Sequence, residues 1–174
     1  MVRTPETSTW PDWVPSPPGY HRRVPAQTLV TRIASFAELD ARTFHDLLRL
    51  RIDVFVVEQA CPYPELDGRD VEPGTRHLWL TRDGDVVAYL RILADRGGVA
   101  RIGRVVVAPR ARRGGYAGRL MAEALAVVGD RPCVLEAQSH LAGFYARHGF
   151  TVSGAEYVED GIPHTPMRRE PTTG

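Results

Sequence analysis

Lysine is missing from this sequence: all 22 of its Lys and Arg positions are arginine. The absence excludes two kinds of chemistry. A Walker-type phosphate loop needs its lysine, and Schiff-base catalysis needs a lysine amine. Cysteine is scarce, with Cys61 and Cys133 far apart and no second pair. A disulfide framework is therefore not expected, and neither thiol stands at zinc-ligand spacing with a histidine. Cys133 reads as a small core residue. None of the six histidines falls in a pattern such as H-E-x-x-H, so no metal is expected. No apolar run is long enough to cross a bilayer, and no signal-peptide pattern follows the first arginine. The expected location is the cytoplasm. A formal net charge of +1 gives no electrostatic reason to expect nucleic acid or a membrane surface as partner.

Hydrophobic residues make up 43% of the 174 and charged residues 25%, ordinary values for one soluble domain. The first 27 residues stand apart. Pro5, Pro11, Pro15, Pro17, Pro18 and Pro25 fall among polar residues, a composition that resists helix and strand. Residues 1–27 are expected to be a disordered extension, although Trp10, Trp13 and Tyr20 are unusual in a linker. The domain is expected over 28–174. Leu29, Val30 and Ile33 suggest a first strand. Phe44, Leu47, Leu48, Arg51, Ile52 and Phe55 follow the spacing of a helix with one apolar stripe. Residues 61–74 form an acidic loop. Strands are expected over 77–82, 86–93 and 99–107, with Asp83-Gly84 as a hairpin turn. A helix over 115–128 follows, then a strand over 133–136, a helix over 141–147 and a strand over 150–153. A last strand is expected over 164–169. This mixed order indicates an α+β domain around one central sheet.

The most informative segment runs from Val105 to Leu120. An apolar strand ends at Pro109, passes through Arg110-Ala111-Arg112-Arg113-Gly114-Gly115 and enters an amphipathic helix at Tyr116-Ala117-Gly118. The first turn of a helix leaves backbone N–H groups without partners, and its dipole favours an anion there. Glycines let a phosphate approach the main chain, and two arginines add positive charge. The arrangement suits a pyrophosphate. A plain strand–turn–helix with a solvated basic turn accounts for the same residues. No G-x-G-x-x-G can be drawn, so a dinucleotide fingerprint fails.

The spacing Arg112-x-x-Gly115-x-Ala117 after Val-x-Pro resembles the acetyl-CoA signature of the GNAT superfamily of N-acetyltransferases. Downstream, Gln138-x-x-Leu141-x-x-Phe144-Tyr145-x-x-x-Gly149-Phe150 resembles that superfamily's second block, with Gln138 where Asn is usual. Further blocks resemble its ElaA-type branch: Arg51 to Gln59, Cys61-Pro62-Tyr63, Leu66-Asp67-Gly68, Arg76-His77-Leu78, Ile102-Gly103-Arg104-Val105 and Glu159 to His164. The resemblance spans roughly 28–170. It implies an acyl-CoA N-acyltransferase fold with a mixed, mostly antiparallel sheet flanked by helices.

It also implies the chemistry. Acyl transfer from a thioester to an amine needs a neutral amine, a donor for the developing oxyanion and a proton for the departing thiolate. By resemblance, Val105 and Val107 offer main-chain contacts to the pantetheine arm of acetyl-CoA. Arg112, Arg113, Gly114, Gly115, Tyr116, Ala117 and Gly118 would hold the pyrophosphate, and Gln138 lies where a further contact is made. Tyr145 matches the family's general acid. For the acceptor, a small-molecule or peptide amine, the candidates are Glu58, Glu65, Asp67, His77, Arg104 and His164. A solvated acidic loop accounts equally well for most of the carboxylates. A homodimer is an allowed assembly. Two other functions fit parts of the pattern. Arg51, Val54-Phe55 and Glu58, with Glu65 and Asp67, also resemble acyl-homoserine-lactone synthases. A non-catalytic acyl-CoA-binding regulatory module would keep the phosphate turn without needing Tyr145.

Overall fold

A computed structural model describes residues 28–171. The expectation for residues 1–27 lies outside the described residues. The chain forms one mixed sheet in the order β1-β2-β3-β4-β5-β8-β6, with a short β7 paired to β8. The strands are β1 (Leu29–Ala34), β2 (Arg76–Arg82), β3 (Asp85–Ala94), β4 (Ala100–Val107), β5 (Cys133–Gln138), β6 (Thr151–Val152), β7 (Tyr157–Glu159) and β8 (Ile162–Arg169). The helices are α1 (Ala41–Arg51), α2 (Tyr116–Val128) and α3 (Ala142–Ala146). Every strand pair is antiparallel except β4 and β5.

Local chemistry explains the boundaries. Asp83 and Gly84 both take positive φ, at 53° and 91°, as a two-residue hairpin turn requires. The same device recurs at Asp160 and Gly161, with φ of 49° and 79°. That second turn joins β7 to β8, and β7 is an element the sequence reading leaves as loop. Asp40 caps α1 by accepting from the Thr43 amide at 2.8 Å.

Helix α1 does not stop at Arg51. It widens into a π-helical segment over Ile52–Glu58, with the amides of Gln59 and Cys61 bonding back to the carbonyls of Val54 and Val56. The widening moves the apolar stripe. Leu47, Leu50 and Val54 are buried, whereas Ile52, expected on the inner face, is 39% exposed. Helix α2 buries Leu120, Met121, Ala124 and Val128, the larger of which stabilise the domain by about 1.5–3 kcal/mol each. Cys133 is fully buried among them, and burial pushes its thiol up to about 11.

The feature that positions the site is the parallel pair. Strands β4 and β5 register at two points, Ala100 with Cys133 and Arg101 with Val134. Beyond these they separate. From Ile102 to Val107, β4 keeps its pairing to β3 while losing β5, and β5 pairs with β8. A wedge opens between them, and its β4 wall carries a bulge. The register shifts between Tyr89 and Arg91 of β3, opposite Arg104, whose φ is 54°.

Candidate active site

The wedge widens into a cleft of about 880 Å³. Strand β4 supplies one wall from Ile102 to Val107, and β5 and β8 supply the other through Glu136, Gln138, Ile162 and His164. The π-helical segment adds Val54, Phe55 and Glu58, and α3 adds Phe144 and Tyr145.

At one end the cleft meets the N-terminus of α2. Gly115 is the N-cap, with φ of 74°, and no side chain caps the first-turn amides. Those N–H groups are the strongest unmatched donors at this end. A side-chain carbon at Gly114 would fall 3.0 Å from the Tyr116 ring and 3.2 Å from the Ala111 carbonyl oxygen, so any side chain there crowds the turn. At Gly115 the same carbon would meet nothing within 4 Å, because that side faces open space. Arg112, Arg113, Tyr116, Ala117 and Gly118 line the cleft, whereas Gly114 does not. Arg112 is engaged across the cleft by Glu58, at 2.8 Å. The donor set fits a pyrophosphate: unpaired amides, a helix dipole, close backbone access and arginine.

Tyr145 is 6% exposed, packed edge-to-face against Phe144 and Phe150. Burial pushes its phenol up to about 12. Among the described residues its hydroxyl has no hydrogen-bond partner. Gln138 also lines the cleft, and its amide donates to the Gln59 side chain at 3.2 Å.

The acceptor candidates divide. Glu58, Arg104 and His164 line the cleft; Glu65, Asp67 and His77 do not. Glu65 and Asp67 belong to an ionic cluster formed by the loop over 61–74, buried except at Asp67, and His77 packs beside it. Arg51, fully buried, donates to Glu65 at 2.5 Å and to Asp70 at 2.8 Å. Arg91 bonds Asp67 and also Asp70, the latter at 3.0 Å. Arg104 reaches Glu65 at 2.8 Å while lying over the Tyr63 ring, and the Tyr63 hydroxyl donates to Glu65. Three arginines thus meet three carboxylates. Burial alone would raise Asp67, but hydrogen bonds from Arg91 and the Arg69 amide hold it down to about 2. His77 is fully buried, with Nε2 3.0 Å from the Asp70 carbonyl oxygen and Nδ1 2.8 Å from the Tyr89 hydroxyl. A carbonyl only accepts, so Nε2 carries the proton and Nδ1 accepts from Tyr89. Both ring nitrogens are spent on structure.

Sequence reasoning passed over cleft residues on the far wall. Glu136, Glu159, Asp160 and Cys61 all line it, and the Cys61 thiol donates to the Asp160 carbonyl at 3.6 Å. The hairpin signal Asp160-Gly161 could have found two of them, since it places Glu159 and Asp160 at a turn facing the loop over 61–74.

A strand pair that parts to expose one edge thus stands beside an uncapped, glycine-started helix. The model of the acetyltransferase (GNAT) domain matches residues 32–171. The chain belongs to the GNAT acetyltransferase family. Among relatives, the UPF0039 protein Mb2876c of Mycobacterium bovis is 54% identical over 136 residues, 76% of this chain and 87% of its own. Protein ElaA of Escherichia coli is 40% identical over 140 residues, covering 77% of this chain and 92% of its own. Its crystal structure superposes with a TM-score of 0.78 at 37% identity, over 82% of this chain and 100% of that one. The crystal structure of an acyl-CoA N-acyltransferase from Pseudomonas aeruginosa gives a TM-score of 0.77 at 44% identity, over 82% and 99%. The GNAT fold, with its mixed and mostly antiparallel sheet, is as the sequence blocks imply. Among the described residues no helix is long and apolar enough to cross a membrane.

Proposed function

We propose that this GNAT chain transfers an acetyl group from acetyl-CoA to a primary amine. The observation that carries the reading is the parting of β4 from β5 beyond Arg101, in a cleft that ends on the uncapped amides of α2. The Pseudomonas aeruginosa relative is an acyl-CoA N-acyltransferase, which supports the donor class. Bound there, acetyl-CoA supplies the thioester. The amides of residues 115–118, with Arg112 and Arg113, hold its pyrophosphate. The backbone of Val105 and Val107, unpaired on the β5 side, holds the pantetheine arm and the carbonyl. Tyr145 gives its phenolic proton to the departing sulfur. Its upward shift keeps it protonated through the neutral range, which makes it a donor and not a base.

Charge sorts the two ends of the cleft. Arg112 and Arg113 lie at the phosphate end, just before the N-terminus of α2. On the β5–β8 side the lining carboxylates are Glu136, Glu159 and Asp160, while the charge of Arg104 is matched by Glu65. A cationic amine is drawn to such a wall. The test is release of free thiol from acetyl-CoA on addition of propylamine, benzylamine, spermidine or a tripeptide with a free amino terminus. At least one should accelerate release well above hydrolysis. If the protein stays silent with all four, the reading fails.

A further inference from the structure

We propose that His164 is the general base that removes the proton from the attacking amine; the assignment rests on the acyl-transfer reading above. His164 stands on β8, opposite Gln138 of β5 on one side and Tyr157 of β7 on the other. Its half-buried ring lines the cleft. Nδ1 lies 2.9 Å from the carbonyl oxygen of Ile162. That oxygen can only accept, so Nδ1 carries the hydrogen, and in the neutral ring Nε2 is left with a free lone pair. Among the described residues Nε2 has no hydrogen-bond partner. The Tyr157 ring stacks on the imidazole, centroids 5.9 Å apart and planes 27° from parallel, which sets its orientation. A fixed tautomer, a fixed ring plane and an uncommitted nitrogen in the cleft are what a general base requires.

No other histidine in or beside the cleft has all three. His77 uses both nitrogens in the core. Glu65 and Asp67 are committed to arginines, and Glu58 to Arg112 at the phosphate end. His140 is exposed, with no bond that orients its ring. The titratable and charged groups around His164 are Tyr157 of β7, Glu136 of β5, and Glu159 and Asp160 at the β7–β8 turn. The Tyr157 hydroxyl donates to Glu136 at 3.3 Å, and Arg101 holds the other oxygen of Glu136 at 3.2 Å.

The step balances. The ammonium first loses one proton to solvent; as the neutral amine nitrogen then bonds to the thioester carbonyl carbon, a second N–H proton passes to His164 Nε2. As the carbon–sulfur bond breaks, the sulfur takes the Tyr145 proton, leaving an amide and a free thiol. Solvent then removes the proton from His164 and returns one to Tyr145. Base and acid thus sit on different elements that line one cleft, β8 and α3.

The experiment uses the full chain, acetyl-CoA and the panel amine that the wild type uses fastest. His164→Ala and His164→Asn are compared; the asparagine amide can still donate to the Ile162 carbonyl, which protects the β8 turn. Expected are a fall in kcat/KM for the amine of about 10²-fold or more, unchanged acetyl-CoA affinity, and loss of the acidic limb of the pH–rate profile. Added imidazole should restore part of the rate to His164→Ala. Rates close to the wild type, or a fall that imidazole does not relieve and that keeps the acidic limb, would overturn the assignment while leaving acyl transfer standing. A wild type inactive with every amine overturns both.

Discussion

Tyr145 and His77 are both buried, and hydrogen bonding is what distinguishes the proposed proton donor from a structural group. Tyr145 keeps an unpartnered hydroxyl on the cleft, whereas His77 gives each nitrogen a partner in the core. Tyr145→Phe should lower kcat about 10²- to 10⁴-fold, the usual range for losing a general acid, with acetyl-CoA affinity unchanged. Steady-state thiol release and calorimetry together check this; wild-type turnover would reduce Tyr145 to packing. At this scale the sequence was partly legible. The phosphate-turn residues can be read because glycine, arginine and a helix start carry their reasons locally. The fate of Glu65, Asp67 and His77 could not be read, because their partners Arg51, Arg91 and Tyr89 come from α1 and β3, distant in sequence. A carboxylate in an acidic loop looks solvated until the arginines it meets are known.

Among the elements, the loop over 61–74 is held down by chemistry that depends on pH. His77 of β2 donates to the Asp70 carbonyl of that loop, and burial, the largest influence on its ring, lowers its pKa below the ordinary 6.5. Unfolded His77 therefore takes a proton at a pH where the folded residue does not. Its contribution to stability is complete above about pH 6.5 and is lost as the pH falls below that. Denaturant melts at pH 7 and pH 5 should show the wild type less stable at the lower pH. His77→Gln, weaker at both, should show a smaller difference between them. An equal or larger difference in the variant would remove His77 as the source. The Asp67 and Asp70 carboxyls, held down by their arginines, act only at lower pH, below about 4. Element boundaries were legible where turn chemistry is explicit, as at Asp83-Gly84. They were missed where it was present but unread, at Asp160-Gly161, and displaced where α1 widens into a π-helical turn that no simple period describes.

In the whole molecule, the proposed function rests on one departure from regularity: a sheet continuous from β1 to β4, and again from β5 to β6, but joined at only two registers between them. No residue count or hydrophobic period announces that parting, since β4 and β5 each read as ordinary buried strands. The family blocks on either side of it implied only that Val105 and Val107 offer main-chain contacts, which the parting leaves room for. The central claim is that this opening, ending at α2, is an acyl-CoA site. The most direct measurement is calorimetric titration of coenzyme A into the wild type and Gly115→Asp. The free chain has room for the new side chain, since nothing lies within 4 Å of its first carbon, and aspartate tolerates the positive φ better than most residues. The account predicts that the wild type binds coenzyme A, more weakly as salt rises, and that Gly115→Asp, still folded by circular dichroism, shows no binding. Equal affinity in a folded Gly115→Asp would contradict it.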